Sequence, residues 1–302
     1  MDVLVTGSHG LIGSALIPRL RSDGHRVARL VRGAPEGGDD VRWDPRAGTI
    51  DAAGLEGIDA VVHLAGAGIG DKKWTDDRKR LILESRTQGT SLLATTLAGL
   101  ARTPSVFLSG SAIGVYGNRG DEVLTEASAP GTGFTAEVCA AWEAATAPAE
   151  EAGIRVAHLR TGIVLSTHGG ALGRMLPPFK VGIGGRMGSG KQYMSWIAID
   201  DEVGAIRHLL TADVAGAVNL TAPNPATNAE FTAALGGALH RPTKLPTPMF
   251  PLKALYGGEL VQSLLLDGQR VLPAALEASG YAFALPDLDG ALRAVLAAPA
   301  AA

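Results

Sequence analysis

The 302-residue sequence is poor in the features that would tie it to several common functions. It has a single cysteine, Cys139, so an internal disulfide is excluded and an oxidising compartment is not implied. It has no excess of charge of one sign: Lys and Arg total 27 against 30 Asp and Glu, for a net charge of −3. Phosphate backbones demand concentrated Lys and Arg, so a nucleic-acid partner is not expected. The cations between Lys72 and Arg86 are largely offset by Asp71, Asp76, Asp77 and Glu84, as on a solvated helix. Charge or proline interrupts every apolar run well before the roughly 18 residues that would suggest a membrane span. No membrane partner is expected. The seven histidines show no metal-ligand spacing, so no metal site is expected. The chain opens directly on a strand-like run without a basic, apolar leader, and the expected compartment is the cytoplasm.

Apolar runs instead alternate with helical patterns. Val3–Thr6, Val27–Val31, Ala60–Leu64, Ser105–Ser109 and Val156–Leu159 read as buried strands. Leu11–Ser22, Asp76–Leu100 and Ala136–Ala152 read as helices. Pro18 falls inside the first helix, but Leu11, Ile12, Ala15, Leu16 and Leu20 keep helical spacing. Together these predict an α/β fold, a Rossmann-type doubly wound parallel sheet. Residues 1–165, with 199–222 returning to them, are expected to form the dinucleotide-binding domain. The glycine-rich stretch 166–198 and residues 223–302 are expected to form a smaller substrate-binding region, closed by an amphipathic helical segment over Leu252–Leu296.

Val3-Leu4-Val5-Thr6-Gly7-Ser8-His9-Gly10-Leu11-Ile12-Gly13 places three glycines between a strand and a helix. Gly7 permits the tight turn, Gly10 the close approach of a pyrophosphate, and Gly13 the packing of helix on strand. The helix start at Leu11 and Ile12 adds free N–H groups and a partial positive charge. An NAD site usually carries an acid roughly 20 residues further on, at the end of the second strand. Here Leu30-Val31-Arg32-Gly33 offers Arg32 instead, which suits the 2′-phosphate of NADP.

These stretches resemble the short-chain dehydrogenase/reductase superfamily in its extended, epimerase-like form. They are joined by Trp43-Asp44-Pro45, His63-Leu64-Ala65-Gly66, Glu84-Ser85-Arg86, Ser109-Gly110-Ser111-Ala112, Tyr116-Gly117, Trp142-Glu143 and Arg160–Leu165. Gly188–Gln192 with Ser195-Trp196-Ile197, and Gly268–Pro273, are similar to a branch of unsettled function with its own C-terminal extension. The resemblance implies that Leu64 and Ala65 pass under the adenosine and ribose, and that Arg86 faces the cofactor. It further implies that Leu108 to Gly110, with Ser109 among them, and Val164 border the nicotinamide. Ser111 takes the superfamily's serine position, where a Tyr-x-x-x-Lys pair would complete the acid–base set. Counting back from Glu143, the lysine position is Cys139 and the tyrosine position Thr135.

The pair is therefore missing, and Tyr116 is the nearest substitute phenol. Ser111 and Tyr116 are the catalytic candidates, with Trp196 and Lys191 as further candidates for the substrate lining. Gly185–Lys191 imitates a P-loop but has Gln192 where Mg²⁺ needs Ser or Thr. The expectation is an NADP(H)-binding, epimerase-like oxidoreductase acting on a small molecule, as monomer or homodimer. The alternative is a non-catalytic NADP(H)-binding regulatory or redox-sensing protein.

Overall fold

The computed structural model describes residues 1–297. Eight strands form one sheet: β1 (Asp2–Thr6), β2 (Arg26–Val31), β3 (Asp40–Asp44), β4 (Thr49–Ile50), β5 (Ala60–His63), β6 (Val106–Ala112), β7 (Arg155–Thr161) and β8 (Gly216–Leu220). Their order is β8-β7-β6-β5-β1-β2-β3-β4, and every pairing is parallel except the β3–β4 hairpin. The chain winds outward from β1 in one direction and then from β5 in the other. The topological switch point therefore lies between β1 and β5, where a crevice opens at the carboxyl ends.

Period-2 alternation explains why the central strands are apolar throughout. Val3 and Val5 of β1, Val62 of β5 and Leu108 of β6 join the core beneath α1 (Leu11–Ser22) and α6 (Ile199–Leu209). Leu4, Val61 and Phe107 point the other way, into a core shared with α2 (Asp76–Ala98). Both faces are covered, so neither can be polar. Pro18 sits on the exposed side of α1 and the helix runs through it.

Three expectations from the sequence need correction. β3 was not anticipated, because Asp40 and Asp44 bracket it and only Val41 and Trp43 point inward. The helix expected over Ala136–Ala152 is two, α3 (Phe134–Ala144) and α4 (Ala147–Glu151). Thr146, fully buried between them, hydrogen-bonds the Glu143 carbonyl through its hydroxyl (2.7 Å), and Pro148 has no N–H to continue the ladder.

The expected terminal helical run is likewise broken. After α5 (Gly170–Lys180) and α7 (Asn228–Leu239) come α8 (Met249–Tyr256), α9 (Gly258–Val261), α10 (Ala274–Ala278) and α11 (Leu288–Ala297). Gly257 and Gly280, both at positive φ, separate them.

Residues 165–198 and 222–295 share a core of their own around Leu172, Phe179, Trp196, Phe231 and Leu292. The terminal segment also returns to the sheet. Arg270–Val271 pairs with Val123–Leu124, α10 packs on β8, and Asp201 of α6 accepts the N–H groups of Ala284 (2.8 Å) and Leu285 (2.9 Å). No helix among the described residues is long and apolar enough to cross a membrane.

Next to Asp201, Glu202 is wholly buried. It accepts the Thr161 hydroxyl (2.9 Å) while its Oε2 has no partner. Burial pushes its carboxyl up to about 8, so it is protonated in the fold at neutral pH. The unfolded chain releases that proton near the ordinary value of 4.5, so stability falls as pH rises from there to about 8. Glu202→Gln should remove this slope. In thermal denaturation its midpoint should exceed that of the parent by several degrees at pH 8, and the difference should vanish below pH 5.

Candidate functional site

The turn after β1 is built for a close approach. Gly7 has φ +68°, and a Cβ there would lie 2.8 Å from the Leu64 carbonyl carbon and oxygen. A Cβ on Gly13 would lie 2.4 Å from the Gly7 oxygen, so α1 presses directly on the loop. Gly10 donates its N–H to that same oxygen (2.8 Å) and caps α1 with no side chain of its own. The N–H groups of the helix start are thus left for a ligand.

Thr6 and His63 fix the opposite wall. The Thr6 hydroxyl accepts from the N–H groups of Leu64 (3.0 Å) and Ala65 (3.1 Å), so its own proton goes to His63 Nδ1 (2.8 Å). His63 Nε2 then carries the imidazole proton and donates to Thr90 of α2 (3.0 Å). Burial holds the imidazole neutral by pushing its pKa down to about 4.

Between these walls lies a cavity of about 1300 Å³ at the carboxyl ends of the strands. Gly7, Gly10, Arg32, Leu64 and Ala65 all line it. Arg29 and Asp40 line it too, joined by two hydrogen bonds of 2.7 and 2.8 Å. The Arg29 fork holds the Asp40 carboxyl below its ordinary value and neutralises it, so this acid does not oppose an anion beside Arg32. Arg78 contributes a buried Nε without a partner. Glycines that admit backbone contact, uncapped N–H groups and an orphaned guanidinium nitrogen fit a phosphate-bearing dinucleotide. Among the described residues no cluster could hold a metal ion.

Other candidates lie off this lining. Leu11, Ile12 and Gly13 form the first turn of α1 behind it. Arg86 spends Nη1 on the carbonyl oxygens of Ala67 and Ile82 (both 3.0 Å) and stacks 4.9 Å over the Trp142 ring. Through these contacts it braces the loop after Ala65. Ser109 is fully buried with an unpartnered hydroxyl, and Val164 is half-buried in the short strand Ile163–Leu165. Trp196 is a correction: it is a core side chain with no exposure, its indole N–H on the Asn224 carbonyl (3.1 Å). Lys191 is exposed in an irregular loop, which confirms that no P-loop helix follows it.

The catalytic candidates belong to one internal network. Ser111 donates to Glu143 Oε1 (2.6 Å), and Arg160 grips the same carboxylate through Nε (2.8 Å) and Nη2 (2.9 Å). Arg160 Nη1 reaches the Tyr116 hydroxyl (3.0 Å), which donates to Asn219 Oδ1 (2.7 Å). Asn219 Nδ2 donates in turn to the Leu272 carbonyl (3.0 Å). Burial pushes Glu143 up, but Arg160 and Ser111 outweigh it and hold the carboxyl below its ordinary value. Ser111 therefore commits its only proton to a carboxylate and offers a ligand lone pairs alone.

Tyr116 is corrected as a catalytic phenol. It has no exposure, and burial raises its pKa. Cys139 is buried beside this network, its thiol pushed up to about 11 by burial and by Glu143. Glu143, Arg160 and Asn219 are not among the site residues expected from the sequence. The available signal was a charge and an amide inside apolar strands, which must be paired.

Arg160 and Glu143 expose only 9% and 13% of their side chains. Arg160→Met should strand the carboxylate and cost about 3 kcal/mol in urea unfolding. Glu143→Gln in the same chain should recover part of that loss.

The chain is similar to known proteins over nearly its whole length. A family model described as the NAD dependent epimerase/dehydratase family matches residues 3–221, and a domain of unknown function, DUF1731, matches residues 247–295. The epimerase family protein Mb2239 of Mycobacterium bovis is 45% identical over 93% of both chains. The human epimerase family protein SDR39U1 is 36% identical over 98% of this chain and all of its own. A crystal structure of the human protein with NADPH superposes with TM-score 0.89 at 35% identity, over 98% of this chain and 99% of the other. UDP-glucose 4-epimerase of Thermotoga maritima, 17% identical with TM-score 0.75 over 98% of both chains, shares the fold. With a model covering most of its length and relatives at 34% to 45% identity, the chain belongs to the NAD dependent epimerase/dehydratase family.

Proposed function

We propose that this protein binds NADP(H) along the crevice between β1 and β5 and works as an epimerase-like oxidoreductase of atypical type. The observation that carries this is the glycine-lined cavity with Arg32 on its rim, in a fold that the human relative uses with NADPH. The N–H groups at the start of α1 would hold the pyrophosphate, and Gly7 and Gly10 would let it approach the backbone. Arg32 would pair with the 2′-phosphate, beside an Asp40 already neutralised by Arg29. Leu64 and Ala65 would lie beneath the adenosine and its ribose. Bound there, the nicotinamide would supply or accept hydride. A small-molecule substrate would lie between residues 1–165 with 199–222 and the smaller region formed by 166–198 and 223 onward. The single, buried cysteine supports a cytoplasmic setting.

One observation favours a second reading, a non-catalytic NADP(H)-binding regulatory or redox-sensing protein. Within the Ser111 network the one phenol, Tyr116, is buried, and the one cation is an arginine paired with Glu143. Ser111 donates to Glu143 and Tyr116 is buried, and by the family resemblance Thr135 and Cys139 would stand at the tyrosine and lysine positions.

Titration should give at least about tenfold tighter binding of NADPH than of NADH, and Arg32→Ala should erase most of that difference. Gly13→Ala, which drives a methyl into the Gly7 carbonyl, should abolish binding of both. Equal affinities in the parent protein would refute the NADP assignment. Absorbance at 340 nm with a panel of carbonyl compounds and nucleotide sugars decides between the readings. Turnover lost in Ser111→Ala with NADPH binding intact supports the oxidoreductase, whereas tight binding without turnover supports the regulator.

A further inference from the structure

The described chain exposes seven large hydrophobic side chains, and five of them lie between residues 181 and 255: Val181, Ile183, Leu245, Phe250 and Leu255. Phe250 is the most open, at 83%. They stand on adjoining segments. Thr247 donates its N–H to the Arg186 carbonyl (2.9 Å) and its hydroxyl to the Gly185 carbonyl (2.7 Å), and Arg241 Nε bonds the Lys180 carbonyl (2.8 Å). The loop after α5 and the proline-rich stretch before α8 therefore run side by side.

α8 completes the face. It contains no buried residue, unlike every other described α-helix of eight or more residues. Leu252 and Tyr256, one turn apart, are half-buried, while Phe250, Lys253 and Leu255 are in solvent. Folding alone gives no reason for an eight-residue helix to leave a phenylalanine and a leucine in solvent, and apolar exposure concentrated on adjoining segments marks a contact surface.

The charge of the same region identifies the contact. Residues 166–199 and 231–258 carry seven Lys and Arg and not one Asp or Glu, in a chain whose net charge is −3. Lys180, Arg186, Arg241, Lys244 and Lys253 are all exposed around the apolar side chains. The remainder of the molecule is correspondingly acidic, so an anionic plane would attract this face and repel the others. Apolar side chains that enter the headgroup boundary within a ring of cations are the chemistry of a protein lying on a membrane surface.

We infer that the face formed by the loop after α5, the stretch before α8 and α8 itself docks on a bilayer containing anionic lipid. The contact is peripheral. It needs no spanning segment, so it is compatible with the absence of long apolar runs. It stands apart from the dinucleotide cavity, none of whose lining residues it uses.

Sedimentation with phosphatidylcholine vesicles, with and without one-third phosphatidylglycerol, tests it. At low salt at least about tenfold more protein should partition onto the anionic vesicles, and high salt should reduce this. Phe250→Ser/Leu255→Ser should lose that partition while keeping its circular dichroism and NADPH affinity, because neither side chain is buried. Lys180→Glu/Lys244→Glu should lose the preference for anionic lipid. Three results would overturn the inference: no preference for anionic vesicles, unchanged partition of the serine variant, or a concentration-dependent dimer that the serine variant abolishes. The last would assign the face to a second copy of the chain.

Discussion

The crossing point at the ends of β1 and β5 sets the geometry on which the candidate site depends. Gly7 can approach the Leu64 carbonyl only because it has no side chain and tolerates a positive φ. Thr6 accepts from the N–H groups of Leu64 and Ala65 and donates a hydrogen bond to His63, which donates one to Thr90 on α2. Three fully buried polar side chains thus satisfy one another and two backbone N–H groups. Leaving any one without its partner costs about 1–3 kcal/mol. The chain of bonds locks a helix, two strands and the cavity wall together. That rigidity suits a site that must present backbone donors at fixed distances.

A second polar network performs a different task. Glu143 on α3, Arg160 on β7 and Asn219 on β8 join Ser111 and Tyr116 and extend to the backbone of the terminal segment at Leu272. A buried ion pair of this kind adds little net stability over apolar packing, but it tolerates no unpaired partner. It secures the arrangement of α3 against the sheet and fastens the C-terminal region to the same point. The chemical consequence is a serine hydroxyl whose only proton is committed to Glu143, leaving lone pairs for a ligand. The one phenol of this network, Tyr116, is enclosed by the fold, and its hydroxyl is spent on Asn219.

Local signals made the first half of the site legible. A strand, three spaced glycines and an amphipathic helix declare themselves within a dozen residues, and Gly7, Gly10, Arg32, Leu64 and Ala65 do lie on one cavity. Apolar runs predicted β1, β2, β5, β6 and β7, because a strand covered on both faces must be apolar at successive positions. β3 escaped because acids at both of its ends disguise it. Two of the terminal breaks fall at glycines with positive φ, a conformation that spacing of apolar residues does not report.

The sequence by itself determined the alternation of the main strands and helices, the phosphate-compatible turn and the presence of Arg32 where an acid is usual. Each of these is a property of neighbours along the chain, where periodicity and backbone sterics act. Only the tertiary structure decided what Ser111 and Tyr116 do. Their partners, Glu143 and Asn219, lie 32 and 103 residues away. The direction in which a hydroxyl spends its proton is settled by whichever acceptor the fold brings within hydrogen-bond distance.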